Sequence, residues 1–194
     1  MRVDPYRVAE HILSIVAEAE AAASRRGLPP VPREDGVVIA ALAFQAAAQG
    51  ARLAADLGAG AGVSSAWIAY GLGLGCRNAC RLILVDVDGE ALREARAAAE
   101  KAAGGRVVVD AVEGDVLDVL PGLRGLGFAF VDVEKRLYPA VLCALRDALD
   151  ATGIAVFHNA LYPPPPPEFY EELGRGWSWA LVPTRLGLVV ARPG

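Results

Sequence analysis

Apolar residues recur at helical spacing through residues 5–24, with Val8, Ile12, Ile15, Val16 and Ala19 on one side. This predicts an amphipathic helix. GLPPVPRED (27–35) breaks the pattern, and a second, buried helix is expected over about 36–49, stopped near Gly50. The period then changes. ARLAADLG (51–58) reads as a strand running into a glycine-rich turn, SSAWIAYGLGL (64–74) as a helix, and RLILVDVD (81–88) as a nearly continuous apolar strand. Such runs suit strands covered on both faces. GEALREARAAAEKAA (89–103) is a strong helix, followed by strands at RVVVDAVEGD (106–115) and FAFVDVE (128–134). A helix at 138–149, a strand at 152–159, a helix at PEFYEELGR and a hairpin from 177–183 and 186–193 complete the chain. Repeated strand–helix units predict an α/β fold. The expected sheet is doubly wound, mostly parallel and seven-stranded, with right-handed crossovers and a terminal antiparallel hairpin.

Composition narrows the class. The 194 residues are 54% hydrophobic and 22% charged, the balance of a globular domain with a sizeable core. Net charge is −4, and Arg25-Arg26 is too small a basic cluster for binding a phosphate backbone, so nucleic acid is not the expected partner. The longest apolar run, VVIAALAFQAAA (37–48), falls short of a membrane span. Acids within the first helix argue against a signal peptide, and the expected compartment is the cytoplasm. Cys76, Cys80 and Cys143 are read as structural cysteines, with a local disulfide in CRNAC left possible. CRNAC has no further Cys or His pair to complete a zinc site, and a local disulfide would be unusual in the cytosol.

The candidate chemistry begins at ADLGAGAGVSS (55–65), where a strand becomes a helix. Gly58, Gly60 and Gly62 allow a tight turn and close approach of a ligand to the backbone. The helix N-terminus behind them offers free N–H groups to something anionic or polar. A dinucleotide fingerprint needs a third glycine where this chain has Val63, which weakens a nicotinamide-cofactor reading. Asp86, at the next strand end, can accept the hydroxyls of a ribose, while Asp88 is the better helix cap. Asp115 ends the third strand, as an adenine acceptor or as a turn cap. Three strand ends at one sheet edge thus outline a nucleoside with a charged tail.

With these motifs the chain resembles the class I S-adenosylmethionine-dependent methyltransferases, a Rossmann-like fold. More narrowly, it is similar to the catechol and caffeoyl-CoA type O-methyltransferases. The likeness covers about residues 30–194, leaving residues 1–30 as an N-terminal helix and linker before a methyltransferase domain at 31–194. DLGAGAGVSS matches the first motif, which implies cofactor roles for Asp56, the three glycines and Ser64. LVDVDGE places Asp86 on the ribose, and VEGDVLDVLPGL flanks the adenine. FVDVEKRLYP (130–139) resembles the segment that supplies a metal-binding and cofactor-side Asp132, a basic Lys135 and a Tyr138 lining the acceptor pocket. TGIAVFHNAL (152–161) resembles the segment whose Asp-Asn pair completes the metal site, and LVPTRLGLVVARP resembles the closing hairpin.

One position departs: His158 stands where the family has Asp, while Asn159 is kept. A hard cation prefers oxygen, so Asp132, His158 and Asn159 would suit manganese, iron, nickel or zinc better than magnesium. Equally, His158 could act without metal as a base or donor, or simply be satisfied in an inactive site. The resemblance implies a small hydroxylated acceptor, deprotonated with help from a metal and from Lys135, and then methylated. The alternative is a non-catalytic S-adenosylmethionine-binding regulatory or partner subunit. Five prolines, 163–167, predict a stiff polyproline segment: a spacer, a wall at the substrate opening, or a ligand for a proline-reading partner domain. A homodimer is compatible with the apolar first helix, and His11 is expected at the surface.

Overall fold

The computed structural model describes residues 5–194. Helices α1 (Pro5–Arg25) and α2 (Arg33–Ala48) precede the alternation. The sheet then builds from β1 (Leu53–Leu57), β2 (Cys80–Asp86), β3 (Val107–Glu113), β4 (Leu126–Val131) and β5 (Leu149–Phe157), all parallel. Helices α3 (Val63–Gly75), α4 (Gly89–Ala103), α5 (Val116–Val119) and α6 (Tyr138–Ala148) connect them. After α7 (Pro167–Leu173), β6 (Trp177–Val182) and β7 (Leu188–Pro193) form the hairpin, with β7 antiparallel to both β5 and β6. The strand order is β3-β2-β1-β4-β5-β7-β6. It reverses between β1 and β4, and ligands in open α/β sheets bind outside the carboxyl ends at such a switch point.

Side-chain alternation along the central strands divides the core. Phe128 and Phe130 of β4 pack with Ile39, Trp67 and Leu72 under α1–α4. Ala129 and Val131 pack with Leu142, Phe157 and Phe169 under α6 and α7. All six residues of β4 are buried, which explains why its sequence is apolar throughout. The face of α1 formed by Ile12, Ile15, Val16, Ala19, Ala22 and Ala23 joins the first cluster, whereas Val8 stays exposed. The α2 and α3 backbones approach so closely that a Cβ on Gly71 would run into the Ala40 carbonyl. No described helix is long and apolar enough to cross a membrane.

Several boundaries move. The second helix starts at Arg33, because Pro32 takes the N-cap and Glu34 and Asp35 occupy its first turn. The parallel strands end earlier than the apolar pattern suggests, so Gly58, Asp132 and His158 stand just past the ladders. β5 begins at Leu149, immediately after α6. The short α5 was not expected; Asp115 caps it. Of the proline run, Pro166 is extended (φ −64°, ψ 154°) and Pro167 is already helical, so the stiff segment is shorter than five residues. Of the two readings left open for CRNAC, the disulfide is the one formed: Cys76 and Cys80 bridge the α3–β2 connection with Cα atoms 6.2 Å apart, whereas Cys143 is free and exposed rather than buried. His11 lies at the surface, as expected.

Candidate functional site

The four central strand tips are sewn together by backbone bonds. Gly58 N–H donates to Val85 O (2.9 Å), Asp132 N–H to Leu57 O (2.9 Å) and His158 N–H to Val131 O (3.0 Å). Each bond fixes one site residue directly beyond its strand. Gly58, Gly60 and Gly62 have φ of +92°, +49° and +95°, so the loop makes its turn in conformations that favour glycine. Asp86 draws that loop towards β2. Its Oδ2 accepts from Gly60 N–H at 2.8 Å and its Oδ1 from Asp88 N–H at 3.0 Å. Asp88 caps α4, accepting from the N–H groups of Glu90 and Ala91.

Two cavities meet at Gly58, Asp86 and Asp132. One, of about 230 Å³, lies over the glycine loop beside Val63 and Ser64 and is roofed by Leu28–Val31 of the α1–α2 linker. The other, of about 210 Å³, runs past Gly114, Asp115 and Val116 to Val133, Glu134 and Leu137. Arg26 pins the start of the linker to α4, with Nε 2.8 Å from Glu94 Oε2 and Nη1 3.3 Å from Asp88 Oδ2.

Beneath the loop, Asp56 is fully buried. Its Oδ2 accepts from the Ser64 hydroxyl at 2.9 Å and the Ser65 hydroxyl at 2.6 Å, while Oδ1 has no partner among the described residues. Burial pushes its carboxyl up to about 7 against the pull of the two serines. Asp56 and the Ser64 hydroxyl therefore brace the turn into α3. Asp115, exposed, accepts from Leu117 N–H at 2.8 Å and borders the second cavity.

At the tips of β4 and β5 the charged groups converge. Lys135 Nζ is 3.0 Å from Asp132 Oδ1 and donates to the Tyr138 hydroxyl at 2.7 Å. That hydroxyl reaches the carbonyl oxygens of His158 (2.8 Å) and Val131 (3.1 Å). Tyr138 is fully buried, so it meets the cleft through Lys135 rather than lining an acceptor pocket itself. The His158 ring, 3% exposed, spans two carboxylates. Nδ1 lies 2.9 Å from Asp132 Oδ2, and Nε2 lies 3.0 Å from Asp35 Oδ2. Burial opposes charge on the ring, but the two carboxylates outweigh it and push its pKa up to about 9. For Asp132, burial is likewise outweighed, by His158 and Lys135, which hold its carboxyl below the ordinary value.

Asp132, Lys135, Tyr138 and His158 are thus brought together, whereas Asn159 is not joined to them. Its φ is +53° and its amide donates to Tyr162 O at 3.0 Å. As a donor set for a metal, Asp132, His158 and Asn159 do not fit. Both imidazole nitrogens already face carboxylate oxygens, and the amide is turned to its own loop. Among the described residues, no group of three or more His, Cys, Asp or Glu side chains is arranged to hold a metal ion.

Asp35 and Ser65 escape sequence reasoning. An acid in the first turn of a helix is ordinary dipole chemistry, and nothing around PREDG marks a partner at position 158. Ser65 differs from Ser64 by no local signal.

A family model described as a methyltransferase domain matches residues 55–160, more than half of the chain and the stretch that carries every strand tip of the site. The chain belongs to this methyltransferase domain family. Solved structures agree in fold. A methyltransferase from Geobacter sulfurreducens is 24% identical with a TM-score of 0.77, covering 100% of this chain and 90% of its own. The O-methyltransferase TomG from Streptomyces achromogenes, solved with SAM, is 21% identical with a TM-score of 0.73, covering 92% and 89%. The O-methyltransferase from Bacillus cereus, solved with SAH, is 22% identical with a TM-score of 0.73, covering 93% and 91%. No curated protein matches the chain in sequence.

Proposed function

We propose that this methyltransferase uses S-adenosylmethionine to methylate a hydroxyl of a small acceptor. The observation that carries the reading is the pair of cavities joined at Gly58, Asp86 and Asp132, with the charged Asp132–Lys135 pair at their junction. Two solved structures of similar fold carry that cofactor or its demethylated product, and both are described as O-methyltransferases.

In this reading the glycine loop and the start of α3 receive the amino-acid end of the cofactor, roofed by Leu28–Val31. Asp86 accepts from the ribose, with lone pairs left beside its bonds to Gly60 and Asp88. Gly114, Val133 and Leu137 flank the adenine. When bound, the sulfonium supplies an electrophilic methyl carbon and leaves as a neutral thioether. Lys135, charged at rest beside Asp132, first releases a proton to water and then takes the acceptor's hydroxyl proton, leaving the oxygen free to accept the methyl group. The acceptor oxygen attacks the methyl carbon and the carbon–sulfur bond breaks. Holding both reactants at contact distance supplies much of the acceleration.

Calorimetric titration with S-adenosylhomocysteine tests the binding step, and methyl transfer to a panel of phenols and catechols tests the reaction. Micromolar binding with turnover supports the proposal; absence of binding removes it. Because His158 replaces the family carboxylate, binding without turnover on any acceptor would favour the second reading, a non-catalytic cofactor-binding subunit.

A further inference from the structure

We infer that Asp35, His158 and Asp132 form a closed bridge standing in place of a divalent ion at the tips of β4 and β5, so that methyl transfer in this chain runs without a metal. The inference rests on the methyltransferase reading above and gives it a metal-free centre.

A metal-bound histidine presents one bare nitrogen to the ion and donates its other N–H to a carboxylate or carbonyl. His158 has no bare nitrogen to present. Asp132 Oδ2 lies 2.9 Å from Nδ1 and Asp35 Oδ2 lies 3.0 Å from Nε2. Carboxylates only accept, so each nitrogen carries a proton towards one of them. The charges then balance locally: two carboxylates are matched by the imidazolium and by Lys135, which is 3.0 Å from Asp132 Oδ1. A carboxylate at position 158 would instead face two others across this gap, an arrangement that demands a cation. The ring supplies that positive charge from within the chain.

Asp35 is the positioning residue of the bridge. It is fully buried, and its Oδ1 has no partner among the described residues, so His158 is the cation that makes its burial tolerable. The neighbouring Glu34 accepts from the Arg185 N–H at 2.9 Å, which ties the same helical turn to the β6–β7 connection. The start of α2 is thereby locked over the strand tips. Asn159, the remaining oxygen donor, is committed to Tyr162 O. Without an ion to chelate, the acceptor needs no adjacent pair of hydroxyls, and a single phenolic or enolic hydroxyl suffices.

Three measurements on the full chain test this. The first is binding of S-adenosylhomocysteine with and without a chelator. The second is a manganese titration of the loaded protein, followed by electron paramagnetic resonance. The third is a 15N spectrum of the ring nitrogens, simple because the chain has only His11 and His158. We expect equal binding with the chelator, manganese left as free ion, and two protonated nitrogens on His158. His158→Asp should gain stoichiometric manganese binding, and Asp35→Asn should shift the Nε2 signal alone. Should the wild-type chain bind one manganese that Asp132→Asn abolishes, or should His158 show a bare nitrogen, the inference is overturned. If His158→Asp does not fold, the wild-type titration and spectrum still decide. Failure to bind S-adenosylhomocysteine would remove the functional proposal, while the manganese and nitrogen results would judge the bridge separately.

Discussion

Raising the pH from 6 to 9.5 should cost this protein about 3 kcal/mol of stability through a single side chain. The His158 pKa is pushed up from 6.5 to about 9, worth about 3 kcal/mol at 1.36 kcal/mol for each pH unit. The sign follows from proton counts. Between pH 6.5 and 9 the native ring keeps a proton that the unfolded chain has released, so stability falls as pH rises. The contribution is complete below 6.5 and gone above about 9. The groups facing the ring are Asp132, Asp35 and the Phe130 ring, with Lys135 acting through Asp132 and the Tyr138 hydroxyl bonded to the His158 carbonyl. The ring is 3% exposed, so salt should screen the effect little. Urea unfolding at half-unit pH steps measures it, by linear extrapolation at each pH. The control is His158→Gln, which shares every other titrating group. Subtracting the two curves should leave a decline of up to about 1.4 kcal/mol per pH unit within that window. Wild-type and His158→Gln curves that run parallel from 6.5 to 9 would refute the doubly bridged, charged ring.

Gly58→Ala should destabilise the chain by about 2 kcal/mol or more and weaken S-adenosylhomocysteine binding in calorimetry. Its φ of +92° disfavours a side chain, and the new Cβ would run into the Asp132 carbonyl. Asp86→Ala removes the acceptor of the Gly60 and Asp88 N–H groups, and should lower S-adenosylhomocysteine affinity roughly thirtyfold, about 2 kcal/mol, with little change in the urea midpoint. Lys135→Met should cut kcat by about 10²–10⁴ on a reactive acceptor. Its cofactor affinity, measured by the same titration, should stay close to wild type.

The order of elements was legible because period and burial agree. β4 is apolar at every position and is buried on both faces, and the shift from helical spacing to such runs announces the alternating units. The strand tips were legible too, since a polar residue ending an apolar run, as at Asp86, Asp132 and His158, must leave the sheet interior. What could not be read is what those tips face. Asp35 and His158 are 123 residues apart in sequence, and only the packing of α2 across the sheet edge joins them. The same holds for Cys76 and Cys80: their spacing is visible, but bonding depends on a chain reversal between α3 and β2 that brings the Cα atoms to 6.2 Å. Reading His158 as a metal donor treats its lone pair as free, a property that belongs to the environment and not to the residue type. A buried imidazole between two carboxylates offers no bare nitrogen and carries a positive charge until the pH rises past its raised pKa. If the bridge replaces an ion as proposed, one histidine at a strand tip and one acid from a distant helix let the corner neutralise itself within the same fold.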